Sequence, residues 1–230
     1  MTPLFNDTFA EWTHGLDIRE SMISIFTHIR DIPYSLTAPV PDPETSLQQL
    51  LIKGKGSCGP KHYLLAEMFR KLNVSVLYTT IAFSWNDPDL CYPPALRKQA
   101  ELLPVAHHLA CRVQVGCRWS LVDATWDSPL AKAGFPVNHH WDGYSDLRCA
   151  VKPLTSPVQN TPDNTRINVQ YRGKDDDELS LTPGEKNHWS ATDRARYYRK
   201  KMAAHTMDEV ERITRFNHDF NAWLDCVRQQ

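Results

Sequence analysis

Residues 54–72, GKGSCGPKHYLLAEMFRKL, constrain the fold most, because they place a cysteine at the start of an amphipathic helix. Ser57 is a residue type that caps helices, and Pro60 falls in the first turn, where its missing N–H costs no hydrogen bond. Apolar side chains then recur at helical spacing, namely Leu65, Met68, Phe69 and Leu72. The pattern predicts a helix that begins at Cys58.

This position has chemical consequences for Cys58. The partial positive charge and unpaired N–H groups of a helix N-terminus favour the thiolate, which is the form of cysteine that attacks carbonyl carbons. Gly54, Gly56 and Gly59 would let a substrate approach the backbone closely. The alternative is a buried cysteine that acts as a small apolar side chain, which is the commoner role of an unselected cysteine.

The overall composition limits the class of protein. With 230 residues and 26.4 kDa, the chain can bury one sizeable core. A formal net charge of −1 and a pI near 6.8 give no electrostatic footprint for nucleic acid or an acidic membrane surface.

The N-terminus lacks a signal-peptide pattern and no apolar stretch is long enough for a bilayer, so we expect a cytoplasmic protein. The six cysteines form no CxxC pair, and we expect reduced thiols.

Local patterns around the cysteine helix predict further helices and a strand. Helical spacing with acidic residues early and basic residues late indicates a packed helix, whereas a run of β-branched and aromatic residues indicates a buried strand. In chain order these are a helix at 16–30, a short helix from Asp42 through 52, a left-handed stop at Asn73, a strand at 74–83, and a long loop at 84–104 with a helical turn near 96–103. The long loop would suit a wall of an active site.

Two strand patterns, HHLACRVQV at 107–115 and RWSLVDATW at 118–126, flank Gly116-Cys117. A two-residue connection of this kind is typical of a tight hairpin, so the two strands should pair antiparallel.

The register of this hairpin brings a histidine near a carboxylate. Counting outward from the turn places Ala110 opposite Asp123. Because residues 108 and 110 share a face of the pleat, Asp123 is a diagonal neighbour of His108, within reach of its imidazole. The doubled His107-His108 leaves the choice of histidine open, and strand alternation favours His108.

The C-terminal part divides into a loop-rich segment and a helical segment. Residues 127–187 are rich in proline, carry an acidic run at 175–178, and contain short strand patterns at 147–151 and 166–171. Helical patterns follow at 190–204 and 206–228, the second opened by a capping box of Thr206 with Glu209. The face of that second helix predicted to pack on the core consists of Val210, Ile213, Phe220, Trp223, Leu224 and Val227.

Nucleophilic catalysis by cysteine needs a thiol of low pKa, an imidazole, and a group that fixes the imidazole's tautomer. Cys58, His108 and Asp123 can supply all three. His108 lies 50 positions beyond Cys58 (108 − 58), and Asp123 lies 15 positions beyond His108 (123 − 108).

A metal site is the competing chemistry. The right donor atoms occur in His107, His108, Cys111, Cys117, His139 and His140. Neighbouring residues on a strand point to opposite faces, and the sequence contains no closed Cys/His ligand set, so we predict neither a metal nor a cofactor.

These blocks resemble the transglutaminase-like superfamily, a branch of the papain-like cysteine enzymes. The superfamily's GxC at a helix start, followed by a helix and a strand, is similar to GSCGPKHYLLAEMFRKLNVSVLYTT; its histidine strand is similar to HHLACRVQV; and its W-x-x-V-D-x-T-W strand is similar to WSLVDATWD. The blocks cover residues 34–127, under half of the chain. The superfamily often has an aromatic residue two past the histidine and an acidic one four past it, where this chain has Ala110 and Arg112.

The resemblance implies an α+β fold with a papain-like core, in which the catalytic cysteine lies at a helix N-terminus packed on an antiparallel sheet, followed by C-terminal helices. It implies Cys58 as nucleophile, His108 as general base and acid, and Asp123 as the orienting carboxylate. The backbone N–H of Cys58 would be one oxyanion donor, and Tyr34 is a candidate for the second. The implied division is a catalytic core at 1–150, a loop-rich segment at 151–188, and a helical extension packed on the core at 189–230.

The implied reaction is acyl transfer through a thioester on Cys58, from a peptide, protein or amide substrate. Water as the acceptor gives a cysteine protease or amidase, which we expect. An amine as the acceptor gives a protein-glutamine gamma-glutamyltransferase. A non-catalytic binding or scaffold domain is the alternative from another class, although a scaffold has no physical need for all three groups. The sequence does not determine the oligomeric state.

Overall fold

The structure is a computed structural model that describes residues 2–37, 42–154 and 185–230. Its elements in chain order are α1 (Pro3–Thr13), α2 (Ile18–Asp31), α3 (Pro43–Lys53), α4 (Cys58–Lys71), β1 (Val76–Phe83), α5 (Pro94–Ala100), β2 (Ala106–Val115), β3 (Arg118–Val122), a 3₁₀ helix (Ser128–Ala133), β4 (Glu185–His188), α6 (Ala191–Met202) and α7 (Met207–Gln229). No helix in these ranges is long and apolar enough to cross a membrane.

The four strands form one antiparallel sheet in the order β3-β2-β1-β4. Helix α4 packs on β1 and β2, and α2 and α3 pack against α4. Helix α6 contacts β1 and β4, while α7 contacts α5 and the 3₁₀ helix. This mixture of helices and an antiparallel sheet is an α+β fold, as predicted.

The helix boundaries follow the capping signals of the sequence. Helix α2 begins with a complete capping box, in which Asp17 and Glu20 each accept from the other's backbone N–H. The carboxylate of Asp42 caps α3, and Gly54 ends that helix in the left-handed conformation, with φ of 62°. Asn73 follows α4 with φ of 60°, so the predicted left-handed stop is confirmed.

The hairpin of β2 and β3 has the predicted register, with Val115 opposite Arg118. The predicted second strand is too long, because β3 ends at Val122 instead of continuing through residue 126. The backbone N–H groups beyond it bond elsewhere: that of Ala124 donates to a histidine ring, and that of Thr125 donates to a side-chain carboxylate. The two residues after Asp123 therefore bond through their N–H groups to side chains in the interior instead of pairing with β2.

Three further elements differ from prediction. Helix α1 was not predicted, although Thr2 caps it and Pro3 occupies its first turn. Strand β4 was not predicted either, since EKNH lacks β-branched residues and forms only by pairing with β1. The strand predicted at 147–151 is wrong: this segment is irregular, because its N–H groups bond at single points, including Leu147 to the carbonyl of Leu121. The strand predicted at 166–171 and the acidic run lie outside the described residues.

The interior has two apolar clusters. One lies between α1–α4 and the sheet, and the other lies around α5, α7 and Trp126. The side chain of Cys58 packs against both. The start of α4 is therefore the place where the two clusters meet.

Helix α7 packs through its C-terminal half. The buried face consists of Phe216, Phe220, Leu224 and Val227. Val210 and Ile213 were predicted to pack on the core, but Val210 is 43% exposed and both line a cavity. The buried residues of α7 belong to the same apolar cluster as the buried residues of α5 and the 3₁₀ helix, and Val210 and Ile213 do not.

Two polar side chains of α7 hold the residues that precede α3. Arg228 donates to both carboxylate oxygens of Asp127, at 2.8 and 2.9 Å, and to the carbonyl of Tyr34 at 2.7 Å. The amide of Asn221 accepts from the N–H of Leu36 and donates to its carbonyl, both at 2.8 Å. These bonds fix the 34–36 segment, which lies beside Cys58.

Candidate active site

Backbone pairing fixes the approach of the chain to Cys58. Gly56 donates its N–H to the carbonyl of Pro33 and accepts from the N–H of Ser35, each at 3.1 Å. A Cβ at Gly56 would lie 2.7 Å from a methyl carbon of the buried Leu50, so a larger residue there would require that side chain to shift. Gly54 ends α3 in the left-handed conformation, and Gly56 and Gly59 line a cavity at Cys58.

Cys58 is the first residue of α4, as predicted. Ser57 occupies the capping position in an extended conformation, but its side chain makes no capping hydrogen bond, which corrects the expectation from sequence. The N–H of a first helical residue has no partner within its helix. The half-buried thiol of Cys58 therefore lies next to an N–H group that can donate to a ligand.

The structure brings His108 and Asp123 together. The Nε2 atom of His108 lies 2.8 Å from Oδ2 of Asp123, and both side chains are buried. Because adjacent residues of a strand point to opposite faces, His107 points away from Asp123. Its ring contacts Tyr197 of α6, with ring centres 6.2 Å apart. His108 is thus the histidine of this pair that meets the carboxylate.

Asp123 accepts four hydrogen bonds, two on each oxygen. Oδ2 accepts from His108 and from the N–H of Ala150 at 2.8 Å, and Oδ1 accepts from the N–H and hydroxyl of Thr125 at 3.2 and 2.6 Å. Burial alone raises the pKa of Asp123, but the charge and hydrogen bond of His108 outweigh it, so the pKa lies well below its usual range. The carboxylate is therefore ionised and held in one orientation.

The Cys58 thiol and the His108 imidazole shift each other's pKa. Burial raises the pKa of Cys58, but the hydrogen bond and charge of His108 outweigh it, so the net pKa is lowered. Burial lowers the pKa of His108, but the charge and hydrogen bond of Asp123, together with the bond to Cys58, raise it well above its ordinary value. Since Nε2 of His108 is bonded to Asp123, Nδ1 is left for the thiol. The directions of both shifts favour a thiolate beside an imidazolium.

Two neighbouring residues of α4 also have buried polar contacts that sequence reasoning missed. Nε2 of His62 accepts from the N–H of Ala124 at 3.1 Å, so its Nδ1 carries the proton and donates to the carbonyl of Cys58 at 2.9 Å. Burial lowers the pKa of His62 to about 4, which agrees with a neutral ring. His62 thereby joins the start of α4 to Ala124, the residue after Asp123.

Lys61, in the first turn of α4, is fully buried. Its ammonium donates to the carbonyls of Arg30, Ile32 and Thr125, at 2.9, 2.9 and 2.6 Å. Burial lowers the pKa of Lys61 to about 7, and nearby carboxylates oppose that shift. Lys61 thereby connects α2, the 32–34 segment and the chain after β3.

The metal ligands considered from sequence do not cluster in the described part of the chain. The donor atoms that lie within 4.8 Å of one another there belong to His108, Asp123 and Cys149. Each oxygen of Asp123 already accepts two hydrogen bonds, so neither has a lone pair left for a metal ion. The three residues are therefore better described as a hydrogen-bonded His108–Asp123 pair with a neighbouring cysteine than as a metal site. Burial and the charge of Asp123 raise the pKa of Cys149, which keeps its thiol protonated, in contrast to Cys58.

Two cavities meet at Cys58, and both also contact Tyr198 of α6. The first, called the basic cavity, has a volume of about 350 Å³ and lies between the end of α3, the start of α4 and α6. The second, called the apolar cavity, has a volume of about 480 Å³ and lies between the ends of β1 and β2 and the helices α6 and α7. His108 and Tyr34 line the apolar cavity. Volumes of this size are typical of small-molecule and side-chain binding sites.

Comparison with solved structures gives a weak likeness. No protein-family model matches the chain, and no curated protein matches it. Among solved structures, a similar chain is a protein of Cytophaga hutchinsonii described as a "putative cysteine protease", with a TM-score of 0.38 and 19% sequence identity. The match covers 56% of this chain and 38% of that chain, so it spans well under half of the solved protein. A likeness of this size carries no weight for function, which depends on the geometry above.

Proposed function

We propose that this protein is a cysteine hydrolase that cleaves a peptide or amide bond through a thioester on Cys58. One observation carries the proposal: the buried imidazole of His108 lies 2.8 Å from the Asp123 carboxylate, lines the same cavity as Cys58, and lowers the pKa of the Cys58 thiol. This is the order of groups that nucleophilic catalysis by cysteine requires. The resemblance of the sequence to the transglutaminase-like superfamily supports the same class.

In the first step the Cys58 thiolate attacks the substrate carbonyl carbon, forming a C–S bond and placing negative charge on the carbonyl oxygen. The N–H of Cys58 is one donor to that oxygen. We assign the second donor to the hydroxyl of Tyr34, which lines the same cavity. Burial, and then the charge of Cys58, hold the pKa of Tyr34 well above its usual value, so the hydroxyl keeps its proton.

The intermediate then collapses. The imidazolium of His108 gives its Nδ1 proton to the leaving nitrogen as the C–N bond breaks, which leaves a thioester on Cys58. Neutral His108 next removes a proton from water, whose oxygen attacks the thioester, and the C–S bond breaks to release the acid and the thiolate. Asp123 stays ionised throughout and stabilises the charged imidazole.

The test is the pH dependence of alkylation of Cys58 by iodoacetamide, mapped by peptide mass spectrometry. Cys91 is exposed and serves as the reference thiol in the same sample. About 1% of an ordinary thiol with a pKa of 8.5 is ionised at pH 6.5, so an activated Cys58 should react at least about tenfold faster than Cys91 at that pH. His108→Ala should abolish the difference, whereas the matched variant His107→Ala should keep it.

Equal rates for Cys58 and Cys91 at pH 6.5 in the wild type would refute an activated nucleophile. If Cys58 is activated, denatured casein incubated with the protein and a fluorescent primary amine identifies the acceptor. New peptide termini or deamidated glutamine indicate water, as proposed. Covalent incorporation of the amine would instead assign the amine as acceptor and contradict hydrolysis.

A further inference from the structure

The two cavities at Cys58 differ in charge. The basic cavity is lined by four cationic side chains, Lys53, Lys55, Arg194 and Arg199, and by no carboxylate of the described residues. The apolar cavity is lined by no lysine, arginine, aspartate or glutamate of that part of the chain, and the charge of His108, which also lines it, is paired with Asp123. A ligand with a negative charge would therefore enter one cavity in preference to the other.

Arg194 is unusual among the buried arginines. Three arginines in the described residues are buried, and two of them are paired with carboxylates: Arg30 with Asp31 at 2.6 Å and Arg112 with Glu185 at 2.5 Å. Arg194 is only 4% exposed, but it has no carboxylate partner in the described residues, and its Nε atom has no hydrogen-bond partner there.

The contacts of Arg194 are aromatic. Its guanidinium carbon lies 4.5 Å from the ring centre of Tyr198, and it interacts with the hydroxyl of Tyr63. A buried guanidinium without an anion is costly, because neither a ring face nor a phenol replaces the hydration that it loses. Since Arg194 lines the basic cavity, the missing partner can be supplied by a ligand there.

We propose that the basic cavity is a subsite for a carboxylate group of the acyl donor, bound by the guanidinium of Arg194. The planar guanidinium matches a carboxylate with two parallel hydrogen bonds, which a single ammonium cannot do. This inference rests on the proposed function, because it places the anion on the molecule that Cys58 attacks. The substrate class is an acyl donor with an acidic group close to its scissile carbonyl.

Two alkylating probes of similar shape test the subsite. Iodoacetate carries a carboxylate and iodoacetamide does not, and both react with the thiolate, so the ratio of their rates cancels any change in thiol ionisation. In the wild type we expect the ratio of the iodoacetate rate to the iodoacetamide rate to be about tenfold higher at Cys58 than at the exposed Cys91. A tenfold preference corresponds to the free energy of about one charge-assisted hydrogen bond. Arg194→Gln should remove most of that preference. The matched variant Arg199→Gln, which removes an exposed cation from the same cavity, should change it less than about twofold.

Protection of the wild type gives a second measurement that needs no variant. Glutarate should slow alkylation of Cys58 by iodoacetamide in a saturable way, whereas glutaramide should not. Inorganic phosphate at equal concentration should protect less than glutarate. Protection by phosphate as strong as that by glutarate would overturn the assignment to a carboxylate and indicate a general anion site.

The two proposals fail in distinguishable ways. If iodoacetamide reacts rapidly with Cys58, but the ratio of rates is the same in the wild type and Arg194→Gln and glutarate gives no protection, the carboxylate subsite is wrong and the nucleophile stands. If iodoacetamide reacts no faster with Cys58 than with Cys91, the proposed function itself is wrong.

Discussion

Asp123→Asn should separate the role of the carboxylate in activating Cys58 from its role in stability. Asparagine keeps the shape of the side chain but replaces one acceptor oxygen with an NH₂ group. In the wild type the two oxygens face His108 and Ala150 on one side and Thr125 on the other. Whichever way the amide turns, its NH₂ group faces a backbone N–H, so at least one buried donor loses its acceptor.

The expected loss of stability follows from these contacts. A buried donor without an acceptor costs about 1–3 kcal/mol. Removing one charge from a buried, hydrogen-bonded pair costs about 3–5 kcal/mol. The two effects share the same atoms and are not additive, so Asp123→Asn should lower the free energy of unfolding by about 3–5 kcal/mol at pH 7, as measured in urea.

The expected chemical effect has a definite direction. Without the charge of Asp123, burial lowers the pKa of His108, and the thiol loses the imidazolium that lowers its own pKa. The pKa of Cys58 should then rise to at least the ordinary value of about 8.5. The midpoint of iodoacetamide alkylation of Cys58 against pH should therefore move to higher pH.

Asp127→Asn is the matched control. Asp127 is also buried and accepts from the N–H of Tyr34 and twice from Arg228. Its replacement should cost comparable stability while leaving the alkylation midpoint unchanged. If Asp123→Asn and Asp127→Asn both lower stability but neither moves the midpoint, the carboxylate does not act on the thiol through His108, and the reasoning is refuted.

Two further predictions concern stability. Because the pKa of Cys58 is lowered in the folded protein, its ionised form contributes stability that is fully present above the unfolded thiol pKa of about 8.5 and is lost as pH falls through the folded pKa. The unfolding free energy of the wild type minus that of Cys58→Ala should therefore increase with pH up to about 8.5 in urea titrations, and a decrease would contradict the shift. Arg228→Met should lower the unfolding free energy by about 3 kcal/mol, since it leaves the carboxylate of Asp127 buried and unpaired. Adding Asp127→Asn to Arg228→Met should recover part of that loss, and strictly additive losses would contradict coupling of the pair.

Several features could be predicted from the sequence because their causes are local. The start of α4 at Cys58 is indicated by Pro60 in the first turn and by the helical spacing of the apolar residues that follow. The register of the β2–β3 hairpin depends on the two-residue turn at Gly116, whose φ is 62°. Counting from that turn is enough to bring His108 within reach of Asp123, since strand geometry fixes which side chains share a face.

Other features have non-local causes. The sequence of β4 has no strand pattern, and that strand forms because β1 offers it an edge. The segment at 147–151 has a strand pattern, but the N–H of Ala150 bonds to Asp123 instead of to a neighbouring strand. Both outcomes depend on which backbone groups the folded interior leaves unpaired.

The sequence by itself determined the order of the elements from α2 to β3, the position of the thiol at a helix N-terminus, and the nearness of His108 to Asp123, because each is set by contacts over a few residues or by a regular count. Only the tertiary structure decided that α6 places Arg194 beside Cys58 and buries it without a carboxylate partner in the described residues. In the sequence, Arg194 is one of several basic residues on a polar helix. Its environment depends on how that helix packs against β1, β4 and α3, which no local pattern encodes.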